Sequence, residues 1–417
     1  MSRCRLLVIL TFALLLLPVL RVSAESVHWN GYASQAFVSS QDNPYFQEDA
    51  GDSFDFREIG INFSWQASAR LRFSAQAISR KIGDLENGSP KLDYALVDYQ
   101  FWVQGGTTFG VRAGRVKNKY GFYNNTRDVP HARPGVFAPP SVYFETFRDP
   151  LLSVDGINLY FSGSNHLGDL SINGFWGKTD LKSEVVEVQV YAEDIQGSFE
   201  EADIVGFNVS FVPAGWHELN LGYSFLGASM ELENTQTFTP EEQFLAAMDL
   251  ANNPQNAIRY VTSTKISPDL HLLSLQYSKN QWVFTGEYLL TQIDFSDFEV
   301  LHQPADSEEF ELQGYYLQAE WLAHSKLSTY ARFEDLIYNV DDRRGEDFAQ
   351  LTGGNPVTQY TQSYTLGARW YFTPDLSLTG EFSRNKGTAF INGPRDIDYQ
   401  SLVEDWDLFV LQLSYHF

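Results

Sequence analysis

The chain has one cysteine, Cys4, in 417 residues. It has no internal disulfide staple, and metal sites built on several thiolates are excluded. Basic residues are scarce. Lys and Arg number 29 against 53 Asp and Glu, a formal net charge of -24. That balance lacks the basic footprint that nucleic-acid binding needs. Long apolar runs are almost absent. The longest, Leu6 to Leu20, falls short of the roughly 20 residues that a membrane-spanning helix requires. Enzyme motifs are missing too. There is no Gly-x-Ser-x-Gly, His-Glu-x-x-His or phosphate-loop pattern, and the eight histidines show no Ser-His spacing. No EF-hand loop occurs, so no metal site and no cofactor is expected.

The N-terminus supplies an address. Arg3 and Arg5 precede the apolar run, and Val22-Ser23-Ala24 follows it with small residues. This is the pattern of a secretory signal peptide, residues 1–24, with cleavage expected after Ala24. Its three arginines leave with it, so 26 basic residues face 53 acidic ones in residues 25–417, a net charge of -27. No repeat or linker divides that remainder, and a single domain is expected.

What is present is alternation. Hydrophobic residues make up 43% of the chain and aromatics 15%, yet mean hydropathy is only -0.26. Sixteen strands are read, beginning near Val27, Phe54, Leu71, Leu92, Thr107, Leu152, Leu170, Ile204, Glu218, Leu270, Trp282, Leu312, Leu327, Tyr360, Leu376 and Trp406. In one, Tyr364, Leu366, Ala368, Trp370 and Phe372 alternate with Thr365, Gly367, Arg369 and Tyr371. Such period-two patterning gives each strand one apolar and one polar face.

Connections alternate between short and long. The short ones are 68–70, 104–106, 162–168, 213–215, 279–281, 324–326 and 373–375. The long ones are 40–53, 81–91, 116–150, 182–201, 230–268, 297–310, 341–358 and 385–405. Within 230–268, Gln243 to Leu250 has helical composition. This is the layout of an all-β, transmembrane, antiparallel up-and-down β-barrel, with short periplasmic turns and long external loops. Trp29, Trp65, Trp102, Trp216, Trp282, Trp321 and Trp370 lie near the short-turn end, where indole rings favour a membrane boundary. A count of fourteen or eighteen strands stays open, if Ala257 to Ile266 pairs or if a weak strand is misassigned.

The last strand alternates Phe409, Leu411, Leu413, Tyr415 and Phe417 with Val410, Gln412, Ser414 and His416. It resembles the terminal strand of bacterial outer-membrane barrels, in which a C-terminal aromatic, here Phe417, is an assembly signal read by the barrel assembly machinery.

The loop 116–150 stands apart. It holds Pro130, Pro134, Pro139 and Pro140, seven aromatic residues, and Lys117, Lys119, Arg127, Arg133 and Arg148 against Asp128, Glu145 and Asp149. As the third long loop it resembles the inward-folded loop of the sixteen-stranded outer-membrane porins, nearer their phosphate-type, anion-preferring branch. It lacks the Pro-Glu-Phe-Gly-Gly run of general diffusion porins and has Lys119 to Asp128 instead. The resemblance implies a passive diffusion channel for small hydrophilic solutes in a Gram-negative outer membrane, and a homotrimer. It implies a constriction at Lys117, Lys119, Arg127, Arg133, Arg148, Asp128 and Glu145.

Alternation sends Arg72, Arg80, Arg112, Arg332 and Arg369 inward, with Glu58, Asp98, Glu287, Glu320, Glu334 and Glu381, because lipid-facing charge is costly. The loop cations have two readings: an anion filter, or ties to wall carboxylates Asp98, Glu320 or Glu334. Acidic external loops could bridge to lipopolysaccharide through divalent cations, and would also draw cations to the mouth. Anion or cation preference therefore stays open. The rival classes are a non-conducting surface receptor or adhesin, and an outer-membrane barrel hydrolase.

Overall fold

The computed structural model describes residues 27–181, 198–199, 201–232, 238–253, 259–305, 308–391 and 397–417. The expected signal peptide and most of loop 182–201 lie outside these residues.

Among the described residues sixteen long antiparallel strands form one closed barrel, and a two-residue strand, Gln303–Pro304, adds to the end of one of them. They are β1 (Val27–Gln41), β2 (Gly51–Ser68), β3 (Leu71–Ile82), β4 (Glu86–Gln104), β5 (Thr107–Lys117), β6 (Ser153–Asn165), β7 (Gly168–Asp180) and β8 (Glu201–Pro213). They continue as β9 (Leu219–Glu231), β10 (Val261–Lys279), β11 (Trp282–Val300), β12 (Glu308–His324), β13 (Leu327–Ile337), β14 (Tyr360–Tyr371), β15 (Leu376–Lys386) and β16 (Asp405–His416). Each pairs with its chain neighbours, and β16 closes on β1 from Tyr32 opposite His416 to Gln41 opposite Asp407. Closure leaves no free edge, so the ladder satisfies its own backbone groups, as hydrocarbon demands. At the seam Gly31 and Phe417 exchange backbone hydrogen bonds of 3.1 and 3.0 Å. The Phe417 ring occupies the space that a Cβ on Gly31 would fill.

The two faces follow the alternation. On β16, Phe409, Leu411, Leu413 and Tyr415 are exposed outward, while Val410, Gln412 and Ser414 are buried inside. Short turns carry the residues they need. Gly105 and Gly106 both take positive φ, +59° and +78°, as a two-residue primed hairpin turn requires. Near this end Trp282 stacks on Trp321 at 6.0 Å and Trp65 on Phe73 at 5.4 Å. Of the other two tryptophans, Trp176 faces outward on β7 and Trp406 is buried under the loops.

Several boundaries differ from the sequence reading. The expected long loop 81–91 is a hairpin of only Gly83, Asp84 and Leu85. Loop 297–310 shrinks likewise, with β11 running to Val300 and β12 starting at Glu308. Connection 162–168 reduces to His166 and Leu167. The segment 257–266 adds no strand, because from Val261 it extends β10. The cause is common to the external ends. Strands there continue beyond the apolar belt, where inward residues such as Phe56 and Ile82 are apolar and buried while outward neighbours such as Arg57 and Lys81 are charged, so pairing persists after the belt's apolar-out alternation has reversed. Within loop 230–268, helix Pro240–Asn252 forms behind a Thr239–Glu242 capping box.

Candidate functional site

The segment between β5 and β6 folds into the barrel, and wall side chains from many strands hold it. The Gly121 amide donates to Ser224 on β9 (2.9 Å), and the Phe122 amide donates to Glu287 on β11 (3.0 Å). The Tyr143 hydroxyl donates to the same Glu287 carboxylate (2.6 Å). Ser141 donates to Glu334 on β13 (3.1 Å), and the Val136 amide donates to Glu381 on β15 (3.1 Å). Arg133 grips Glu58 on β2, and Arg80 on β3 grips Glu145 of the loop (3.1 Å). Arg369 on β14 donates to the carbonyls of His131 (3.3 Å), Arg133 (3.1 Å) and Gly135 (3.4 Å). Wall residue Gly314 on β12 admits the loop, since a Cβ there would collide with the Ser141 carbonyl.

The loop reaches deep. His131 stacks on His416, at the short-turn end of β16, with ring centroids 3.9 Å apart. Burial, then His416, Arg369 and Arg133, lowers the His131 pKa to about 4.

The expected constriction residues divide into two groups. Lys117 is bound to Asp128 (2.6 Å) and Asp93 (2.8 Å). Arg127 is bound to Glu145 (3.0 Å) and the Phe144 carbonyl (2.9 Å). Arg148 is bound to Asp149 (3.0 Å) and lies 3.9 Å from Asp93. Arg127, Arg133 and Arg148 are each at most 2% exposed. Burial alone would raise the Glu145 pKa, but Arg127 and Arg80 hold it well below the usual carboxylate range. Asp128 is fully buried, and burial there is outweighed by Lys117 and Arg148, which keep it ionised. On the wall, Arg80 also holds Glu58 (3.0 Å) and Glu86, while Arg332 holds Glu334 (2.8 Å) and lies 4.0 Å from Glu381.

Lys119 belongs to the second group. It is half-buried and makes no ion pair or hydrogen bond among the described residues. Burial, then the neighbouring Arg112, depresses its pKa. Arg112 stands in a lateral row of register partners across β2 to β6: Gln66, Arg72, Asp98, Arg112 and Asn158. In that row Arg72 donates to Gln66 (2.8 Å) and pairs with no described carboxylate, while Arg112 meets Asp98 at 3.3 Å. Glu320 faces inward on β12, half-buried, without an ion pair among the described residues.

Of the three wall carboxylates expected to tie the loop, only Glu334 bonds to it. Glu58, Glu287 and Glu381 take that role beside it, and Asp98 pairs along the wall instead. Glu86 and Lys91 are missed in the sequence because the external end of β4 reads as loop, and Asp93, directly after Leu92 at the start of the expected strand, went unnamed. Tyr160 and Asn158 went unnamed although the parity of β6, set by outward Ile157 and Leu159, sends both inward.

Residues 172–417 match the family described as phosphate-selective porin O and P. The backbone is similar to that of an anion-selective porin from Comamonas acidovorans: 11% identity, 94% of this chain and 99% of that one, TM-score 0.55. It is similar to Salmonella typhi OmpF in a daunomycin complex: 14% identity, 94% and 98% coverage, TM-score 0.55. It is also similar to the outer-membrane OmpT of Vibrio cholerae: 11% identity, 95% and 99% coverage, TM-score 0.54. At these identities the likeness shows the fold alone. No curated protein matches the sequence.

Proposed function

The chain belongs to the phosphate-selective porin O and P family, and from that premise we propose that it is an anion-preferring diffusion channel whose solute-facing cations are Lys119, Arg112 and Arg72. It is an outer-membrane porin by family and fold, and we read it as a conduit rather than an enzyme or a non-conducting receptor. The observation that carries the selectivity reading is the sorting of the basic residues. Lys117, Arg127, Arg133 and Arg148 are consumed by carboxylates that hold the loop against β2 to β4. A paired, buried charge presents little field to a passing ion. Lys119 has no counter-charge among the described residues, and Arg112 shares Asp98 with another donor. Basic side chains lining a pore favour anions.

In this reading the loop sets the bore and the row on β3 to β6 sets the sign. The expected homotrimer and the contact with lipopolysaccharide belong to the same proposal. Outward ion pairs such as Arg115–Asp155 (2.7 Å) would lie at the level of the anionic sugar-lipid. The test is the reversal potential of single channels in a KCl gradient. Lys119→Gln and Arg112→Gln should each move it towards cation preference, and Arg127→Gln should move it much less. If Arg127→Gln shifts it most, the assignment of roles is wrong.

A further inference from the structure

Arg112 is unusually well fixed for a half-exposed lumen arginine. Its Nε donates to Asp98 across the β4–β5 ladder at 3.3 Å, and its Nη1 donates to Asn158 across the β5–β6 ladder at 3.3 Å. Its third nitrogen, Nη2, has no acceptor among the described residues. The guanidinium carbon sits 4.2 Å from the centroid of the Tyr160 ring. The Tyr160 hydroxyl donates to the other Asp98 oxygen at 2.6 Å. Tyr160 thus touches both members of the ion pair, by its face and by its tip.

The sequence makes room for this. Gly110 lies directly opposite Tyr160 in the β5–β6 register. A Cβ on Gly110 would strike the Tyr160 hydroxyl, so glycine lets the ring lie across β5 and reach β4. The ring itself is 9% exposed, whereas the Arg112 side chain is 35% exposed.

We propose that Tyr160 is a positioning residue for anion selectivity: it clamps Arg112 and occupies one oxygen of Asp98, so that the Nη2 edge of the guanidinium is presented to the solute. The proposal rests on the reading of Arg112 as a solute-facing cation. A free arginine samples many rotamers, and a preorganised planar fork loses less on forming each hydrogen bond. Without the clamp, Arg112 swings onto Asp98, both oxygens of Asp98 become available to it, and the two charges cancel within the wall. The ligand class is a small anion; the clamp does not depend on which one.

The experiment measures reversal potentials in a KCl gradient for five refolded full-length proteins: wild type, Arg112→Gln, Tyr160→Leu, Tyr160→Phe and the Arg112→Gln/Tyr160→Leu double variant. Tyr160→Leu should lower the anion-to-cation permeability ratio about two- to fivefold, the size of one lost exposed cation–π contact. Tyr160→Phe keeps the ring and should recover part of that loss. The double variant should match Arg112→Gln alone, which a general distortion of the wall would not produce. A wild-type ratio in Tyr160→Leu, with Arg112→Gln shifted, overturns the clamp and leaves the channel reading intact. No shift in Arg112→Gln overturns the reading beneath it. An additive double variant shows that Tyr160 acts by another route, and also overturns the clamp. Gly110→Ala, which displaces the ring without altering either partner, supplies a second route should Tyr160→Leu fail to refold, and should reproduce its shift.

Discussion

Replacing Glu58 with glutamine should release the inward loop. Glu58 is 3% exposed and receives Arg80 Nε at 3.0 Å and both terminal nitrogens of Arg133, one of them at 3.2 Å. Arg133 is the loop's cation; Arg80 also reaches Glu145 and Glu86. Glutamine keeps the shape but deletes one negative charge, leaving Arg133 buried without a counter-ion. Breaking a buried pair in this way costs about 3–5 kcal/mol. Arg80 retains two carboxylates, so the penalty falls on the docking of residues 118–152 rather than on the barrel. At 1.4 kcal/mol per factor of ten, the undocked population rises roughly two to four orders of magnitude.

Trypsin reads that population. The bond after Arg127 is shielded when the loop is docked, because Arg127 is 1% exposed. When opening is fast relative to cleavage, the cutting rate follows the undocked fraction. Glu58→Gln should therefore be cut after Arg127 about a hundredfold or more faster than wild type. The Glu58→Gln/Arg133→Gln double variant should be cut more slowly than either single variant, since neither charge is then stranded. Equal protection of the wild type and Glu58→Gln would refute the claim that this pair holds the loop.

Acidification should loosen the loop at its deepest point. The His131 pKa is lowered from 6.5 to about 4 by burial and by His416, Arg369 and Arg133. The free loop therefore takes up a proton that the docked loop refuses. Docking stability is full above about pH 6.5 and declines as pH falls towards 4. Current noise should rise over that window, and His131→Gln should abolish the dependence; noise independent of pH would count against the contact. Gly314→Ala should push the Ser141 carbonyl off β12 and raise tryptic cutting after Arg127 without unfolding the barrel, as judged by heat-modifiable mobility on gels. Phe417→Ala should lower the yield of folded barrel, because the ring covers Gly31 at the β1–β16 seam; an unchanged refolding yield would remove Phe417 from closure.

The barrel was legible because hydrocarbon enforces a strict rule. Where strands cross lipid, one face must be apolar, so β14 and β16 are plain in the sequence from Tyr364 to Phe372 and from Phe409 to Phe417. Beyond lipid that rule lapses. The hairpin at Gly83 to Leu85 reads as part of an eleven-residue loop because Gly83, Asp84, Asn87, Gly88, Ser89 and Pro90 are turn-type residues that mask the paired ends of the two strands. The candidate site was half legible. Parity alone sends Arg80, Arg112, Arg332 and Arg369 inward, and loop order marks 116–150. Parity carries no information on distance across the lumen, so it does not separate Arg133, buried on Glu58, from Lys119, which has no counter-charge among the described residues. Pairings such as Tyr143 with Glu287, or Arg369 with the His131 carbonyl, join residues more than a hundred positions apart through a loop path that no local pattern encodes.

Single-channel recording in a KCl gradient across a planar bilayer tests the central claim most directly. The account predicts discrete conductance steps from the refolded protein with a reversal potential on the anion side, and a return towards zero in the Lys119→Gln/Arg112→Gln double variant. Cation preference in the wild type would contradict the assignment of Lys119 and Arg112, and a bilayer with no steps at all would contradict an open channel.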